Sequence, residues 1–319
     1  ITLDEAASTF GTLALTGANV AVTDAGATDL GASTVSGTLG ITSGGAVTDS
    51  GTLAITGVTT ISASGQDITL DEAASTFGTL ALTGANVAVT DAGATDLGAS
   101  TVSGTLGITS AGAVTDSGTL AITGVTTISA SGQDITLDEA ASTFGTLALT
   151  GANVAVTDAG ATDLGASTVS GTLGITSAGA VTDSGTLAIT GATTISASGQ
   201  DITLDEAAST FGTLALTGAN VAVTDAGGTD LGASTVSGTL GITSGGAVTD
   251  SGTLAITGVT TISASGQDIT LDEAASTFGT LSLTGANVAV TDAGATDLGA
   301  STASGTLGIT SGGAVTDSG

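Results

Sequence analysis

The stretch ITLDEAASTFGTLALTGANV, residues 1–20, opens the unit from which the whole chain is built. It returns, with one later difference at Ser282, at Ile68, Ile135, Ile202 and Ile269, so the repeating unit spans residues 1–67. Self-similarity at a fixed period predicts an array in which each unit packs on its neighbours. We therefore expect one continuous solenoid segment over residues 1–319. Its repeats are 1–67, 68–134, 135–201 and 202–268, with a partial repeat at 269–319.

The copies are nearly identical. They differ only by exchanges of one small residue for another, in the columns of Ala14, Ala27, Val35, Gly44 and Val58. Solenoid ends normally need an unusual capping repeat, because the last coil exposes unpaired strand edges. Since the pattern begins and ends without one, we expect the chain to be a window of a longer protein.

Within a repeat, apolar residues alternate with small or polar ones, which is the period of a β-strand. Leu13 and Leu15 flank Ala14, and Val20 and Val22 flank Ala21. The same alternation recurs around Gly40, Ala54, Ser62 and Thr69. It predicts roughly nine or ten short strands per repeat, joined by turns at 17–19, 44–45 and 64–66.

Short strands joined by tight turns favour an all-β fold, a parallel β-solenoid (β-helix) with about three coils of roughly 22 residues per repeat. The alternative is a string of small β-sandwiches, one for each repeat. A sandwich usually has fewer, longer strands and about 100 residues. Each repeat has one Phe among thin aliphatic residues, which indicates the narrow interior of a solenoid.

The composition excludes several classes of function. The chain has no Lys, Arg, His or Cys, and its net charge is −29. The common general bases, activated thiols and Schiff-base amines are therefore missing, and we expect no enzyme and no small-molecule substrate. A uniformly anionic chain repels nucleic acid, so we expect no nucleic-acid partner. No run of about 18 apolar residues occurs, so we expect no membrane insertion. The hydrophobic content of 40% argues against disorder.

Two strings, GTLAITGVTTISASGQDITL at residues 51–70 and TLALTGANVAV at residues 12–22, resemble the repeats of large bacterial surface proteins. These are the filamentous-haemagglutinin-like adhesins and the autotransporter-like passengers. The resemblance implies a right-handed parallel β-helix that projects from the outer membrane and mediates adhesion or aggregation. We accordingly expect an extracellular, cell-surface location and a structural role as a shaft or filament. The expected partner is the protein itself, through end-to-end or lateral fibre association.

A calcium- or cation-binding adhesive module is the alternative function. Calcium takes carboxylates and turn carbonyls as ligands, and Asp24-Ala25-Gly26-Ala27-Thr28-Asp29 is the best candidate loop. Its copies carry the pairs Asp91 and Asp96, Asp158 and Asp163, Asp225 and Asp230, and Asp292 and Asp297. The loop matches neither the Gly-Gly-x-Gly-x-Asp calcium repeat nor an EF-hand loop, and an Asp that closes its own turn is the plainer interpretation. No cofactor is required, and calcium is the only candidate.

Other recurring residues have plain interpretations. Asp4 and Glu5 indicate a solvated corner, because neighbours on a strand point to opposite faces. An ice-binding array of threonines would need Thr in register on one face. The starts at Thr12, Thr38 and Thr52 do not give this register with coils of roughly 22 residues. Asn19 is predicted in a turn, with an inward amide ladder as the alternative.

Overall fold

The computed structural model describes all residues 1–319 and consists of short strands and turns. It divides into two compact units, Ile1–Ala159 and Gly160–Gly319. In each unit the strands pair in parallel with strands of the preceding and following coils. Each unit is therefore a parallel β-solenoid, which confirms the predicted fold class and excludes the sandwich. The chain has no helix that could cross a membrane.

The first unit contains twenty-two strands. Those before residue 68 are β1 Thr2–Leu3, β2 Thr12–Leu13, β3 Thr16–Gly17, β4 Val20–Asp24, β5 Thr28–Leu30, β6 Ser33–Val35, β7 Leu39–Ser43, β8 Val47–Asp49, β9 Leu53–Ile55 and β10 Val58–Ser62. The second repeat has nine, as predicted: β11 Ile68–Leu70, β12 Thr79–Gly84, β13 Val87–Asp91, β14 Thr95–Leu97, β15 Ser100–Val102, β16 Leu106–Ser110, β17 Val114–Asp116, β18 Leu120–Ile122 and β19 Val125–Ser129. The last three are β20 Ile135–Leu137, β21 Thr146–Gly151 and β22 Val154–Asp158.

The second unit contains the other twenty-two strands. They begin with β23 Thr162–Leu164, β24 Ser167–Val169, β25 Leu173–Ser177, β26 Val181–Asp183, β27 Leu187–Ile189, β28 Thr193–Ser196, β29 Ile202–Leu204, β30 Thr213–Gly218, β31 Val221–Asp225, β32 Thr229–Leu231 and β33 Ser234–Val236. They continue with β34 Leu240–Ser244, β35 Val248–Asp250, β36 Leu254–Ile256, β37 Val259–Ser263, β38 Ile269–Leu271, β39 Thr280–Gly285, β40 Val288–Asp292, β41 Thr296–Leu298, β42 Thr302–Ala303, β43 Leu307–Ser311 and β44 Val315–Asp317.

The pairing register gives the length of a coil. Val20 pairs with Leu39, Leu39 with Thr59, Thr59 with Leu80 and Leu80 with Leu97. Successive coils therefore differ in length and average about 19 residues, rather than roughly 22. This agrees with about three coils per repeat and refines the number, since coils of this length place about three and a half coils in each 67-residue period.

The half coil has a geometric consequence. The strands of residues 68–134 form seven segments, which lie alternately in two facing sheets: β11, β12, β13, β14 with β15, β16, β17 with β18, and β19. Because seven is odd, β20 begins the next repeat in the sheet opposite to that of β11. In the second unit, β28 and β37 likewise have equivalent positions in the repeat but lie in different sheets. Each repeat is thus turned by half a coil relative to the repeat before it.

The interior of each unit is a narrow aliphatic core. Strand alternation turns one residue in two inward, so Leu80 and Leu82 are fully buried while Ala81 between them is partly exposed. Phe77, the single aromatic residue of its repeat, is 6% exposed and fills a corner of the core. Its copies Phe144, Phe211 and Phe278 are buried in the same way.

Glycines serve the corners in two ways. Gly132 has a φ of +74°, and Gln133 N–H donates to the carbonyl of Ala130 at 2.9 Å, which closes the turn predicted at this point of the repeat. Glycine adopts this left-handed conformation without steric cost. Gly118 is needed for a different reason, since a Cβ at this position would overlap the backbone nitrogen of Ala99 on the preceding coil.

Candidate functional site

The two aspartates of each predicted calcium loop face in opposite directions, one into the core and the other outward. In the second repeat, Asp91 continues the inward series of Val87 and Val89 and is 1% exposed. Asp96 lies between the buried residues Thr95 and Leu97 and points outward. The other loops have the same pattern of burial. The structure therefore does not bring the two carboxylates of a pair together.

The inward aspartate belongs to a buried polar network. Asp91 Oδ1 accepts a hydrogen bond from Gly93 N–H at 2.8 Å, which is the turn-closing contact expected from the sequence. Asp91 Oδ2 lies 3.2 Å from Thr95 Oγ1, and Thr95 Oγ1 lies 3.0 Å from Ser110 Oγ on the following coil. Ser110 Oγ is 3.1 Å from the carbonyl oxygen of Gly93 and 3.0 Å from that of Gly112. A carboxyl thus joins two coils through hydroxyl groups.

Burial dominates the electrostatics of this inward position. Desolvation raises the pKa of Asp91 above its ordinary value of 3.8, although hydrogen bonds from Gly93, Thr95 and Phe77 lower it. The pKa of Asp225, its copy in the second unit, is raised for the same reason. A buried charge is costly unless an opposite charge pairs with it. The chain contains no Lys, Arg or His side chain that could do so.

The outward aspartate is surrounded by hydroxyl groups. Asp96 Oδ2 accepts hydrogen bonds from Thr79 Oγ1 and Ser117 Oγ, both at 2.7 Å, and Oδ1 accepts one from Thr115 Oγ1 at 3.5 Å. Equivalent donors, Thr12 first and Ser50 second, hold the pKa of Asp29 below 3.8. These residues come from the coils before and after the aspartate, so each outward carboxylate ties three coils together.

No group of three acidic side chains in the structure lies close enough to hold a metal ion. Asp24 Oδ1 accepts from Gly26 N–H at 2.9 Å, and Asp29 Oδ2 accepts from Thr12 Oγ1 at 2.6 Å, so both carboxylates already have protein donors. Calcium at the five loops stays a prediction, and the outward carboxylates with their hydroxyl neighbours are the oxygen atoms that could hold it.

A further aspartate, outside the predicted calcium loops, caps the acidic corner. Asp116 Oδ1 accepts from Asp138 N–H at 2.8 Å, and Asp116 Oδ2 accepts from Glu139 N–H at 3.4 Å. Desolvation raises the pKa of Asp116, with smaller contributions from the charges of Asp138 and Glu139. Asp138 itself is exposed, as expected of a solvated corner. The cap lies one coil before the corner along the chain, so only the fold brings the two together.

The asparagine of the second repeat links three coils at a corner. Asn86 donates from its backbone N–H at 3.1 Å and from Nδ2 at 2.9 Å to Asp67 Oδ1 on the preceding coil. Its Oδ1 accepts from the N–H of Thr105 at 3.1 Å and from the hydroxyl of Thr105 at 3.2 Å. The side chain is exposed rather than inward, so the turn interpretation of this residue is confirmed.

One buried hydroxyl per repeat has no hydrogen-bond partner. It belongs to Thr126, which is 0% exposed and lies in register with Leu106 on one side and Leu147 on the other. No feature of the sequence signals this, because Thr is common on the outward positions of strands. The same holds for its copies Thr59, Thr193 and Thr260.

A family model described as "Repeats of unknown function (DUF5649)" matches residues 17–83, 84–150, 151–217, 218–284 and 285–319. Each complete match spans 67 residues, which equals the repeat period, and begins at residue 17 of the repeat rather than at residue 1. No curated protein and no solved structure matches the chain.

Proposed function

The chain belongs to the DUF5649 family of repeats, and from the architecture of this repeat we propose that it is a non-catalytic structural segment. The proposed role is that of the shaft or filament of a bacterial extracellular surface fibre or adhesin. A repeat protein with a solenoid structure is compatible with a structural role, and the finer assignment is our inference.

One observation carries the proposal: each coil within a unit is hydrogen-bonded to the coils on both sides along two sheets. β13, for example, pairs through its first three residues with β11 before it and through all five with β16 after it. Side chains that bridge coils, such as Asp96 and Asn86, reinforce these ladders at the surface and the corners. A stack joined at every level resists bending, which is the property that a spacer needs.

The resemblance of residues 51–70 to repeats of surface adhesins supports an extracellular location. Uniform negative charge supports it as well, because it keeps neighbouring shafts apart and in solution at neutral pH. Side-by-side or end-to-end association of copies, which we also propose, would then need cations or acid to screen that charge.

The proposal is tested by varying the number of repeats. Three and a half coils spaced by about 4.8 Å give an increment of about 17 Å per repeat. Chains of two, four and six complete repeats are measured by electron microscopy, beside a control whose two central repeats are replaced by a Gly/Ser linker of equal residue number. We expect a fixed increment for the repeats and a broad distribution of lengths for the linker chain. A length that does not grow with repeat number would contradict the shaft.

Location needs a separate measurement. An epitope inserted beside the exposed residue Gln66 should be labelled by antibody on intact cells of the producing bacterium. Labelling only after lysis would contradict the extracellular assignment while leaving the structural role untouched.

A further inference from the structure

The inward aspartate of each repeat, at Asp24, Asp91, Asp158, Asp225 and Asp292, is 1% exposed in every copy. The shaft function does not explain why this buried residue is an aspartate, since an uncharged residue could close the same turn. In the second repeat, four oxygen atoms form a chain of close contacts: Asp91 Oδ2, Thr95 Oγ1, Ser110 Oγ and the carbonyl oxygen of Gly93. The distances between successive oxygens are 3.2, 3.0 and 3.1 Å.

These three contacts need three protons. Two oxygen atoms at about 3 Å attract each other only when a hydrogen lies between them. Thr95 and Ser110 each supply one hydrogen, and the carbonyl of Gly93 can only accept. With an ionised Asp91, one contact in the chain has no hydrogen and is repulsive. With a protonated Asp91, the carboxyl donates to Thr95, Thr95 donates to Ser110 and Ser110 donates to Gly93, so each of these three contacts is a hydrogen bond. The carbonyl oxygen of Gly112, 3.0 Å from Ser110 Oγ, competes for the same Ser110 hydrogen in both protonation states and does not change the comparison.

We propose that the inward aspartates Asp91 and Asp225 are proton-binding sites, and that the folded coil holds them as neutral carboxylic acids at pH values where the outward Asp29 and Asp297 are ionised. The second and fourth repeats thus each have a proton-dependent link between neighbouring coils. This link is strengthened on acidification.

The surroundings of Asp91 favour the neutral form. The residues around its carboxyl carry no charge: Ser75 and Phe77 on the preceding coil, Thr95 on the next strand and Ser110 on the following coil. No cationic side chain exists to face the carboxyl. Burial accordingly raises the pKa of Asp91 above 3.8. A carboxyl whose pKa is raised by folding stabilises the fold fully below its unfolded pKa and loses that contribution as the pH rises through the raised value.

Replacement of the inward aspartates by asparagine tests this. In Asp91→Asn the amide donates permanently to Thr95 while its oxygen still accepts from Gly93, so the substitution reproduces the protonated acid. The test variant carries Asn at residues 91 and 225. The matched control carries Asn at the outward residues 96 and 230 of the same two repeats and removes the same charge.

Urea unfolding midpoints are measured for both variants and for the parent chain between acid and neutral pH. We expect the inward variant to have a higher midpoint than the control at neutral pH and a smaller change of midpoint with pH than the parent. An inward variant less stable than the control at neutral pH would overturn the proposal.

A second measurement does not depend on the variants. In the parent chain labelled with ¹³C at aspartate Cγ, the carboxyls of Asp91 and Asp225 should titrate at higher pH than those of Asp29 and Asp297. Titration of these four carboxyls together would overturn the assignment, whatever the variants do.

Discussion

Replacement of Thr126 by valine should stabilise the protein. The hydroxyl of Thr126 is fully buried without a partner, between Leu106 and Leu147 on the neighbouring coils. An unsatisfied buried polar group costs about 1–3 kcal/mol, and valine has nearly the same shape without that group. We expect a gain of at least about 1 kcal/mol for each substitution.

The assay is equilibrium unfolding in urea. A gain of about 1 kcal/mol raises the midpoint by roughly 0.3–1 M when the slope is about 1–3 kcal/mol/M. Within one unit the copies lie about 17 Å apart along the axis, so the gains of Thr59→Val and Thr126→Val should add, as should those of Thr193→Val and Thr260→Val. Thr127→Val is the control, because it makes the same substitution at an exposed position on the outer face of the same strand. A midpoint lowered by Thr126→Val, relative to that control, would refute the reasoning and indicate that the hydroxyl has a partner.

Three further results are expected. Gly118→Ala should destabilise the protein by about 1–3 kcal/mol in thermal or urea unfolding, because its Cβ would overlap the backbone of Ala99. Gly107→Ala is the control and should be neutral or stabilising, because its Cβ would lie 3.8 Å from the nearest neighbouring atom. Equal effects of the two substitutions would contradict this explanation. Sodium chloride should raise the melting temperature, because the net charge of −29 has no cationic side chain to offset it; a fall would show that repulsion does not limit stability. Calcium should raise the melting temperature no more than magnesium at equal ionic strength, because one carboxylate of each pair faces the core and the other faces outward. A larger rise with calcium, reversed by chelation, would instead establish the predicted calcium loops.

The strands and the core could be predicted because their signal is local. Alternation around Ala81 or Ala88 reports directly which residues face inward. Coil length could not be read in the same way, because the sequence states only the period of the whole repeat. Three coils of roughly 22 residues fill that period as well as three and a half shorter ones. The observed coils also differ in length, since corners such as residues 71–77 take up variable amounts of chain.

The same limit applies to the polar sites. The turn-closing role of Asp24 could be predicted because its partner, Gly26, follows almost directly in the sequence. Ser43, which completes the buried network of that loop, lies in register with Asp24 on the following coil, so it could be found only with the right coil length. The burial of the unpartnered Thr126 hydroxyl is determined by residues on both neighbouring coils, so it could not be predicted from the sequence for the same reason.

The odd number of segments in each repeat introduces a parity rule for how such a protein can change length. Gain or loss of one repeat by recombination turns whatever follows it by half a revolution about the solenoid axis, apart from the gradual twist of the sheets. Gain or loss of two repeats restores the original azimuth. A domain displayed beyond the repeats would therefore face one way with an even number of added repeats and the opposite way with an odd number. Length and orientation are coupled, and selection for orientation would favour changes by pairs.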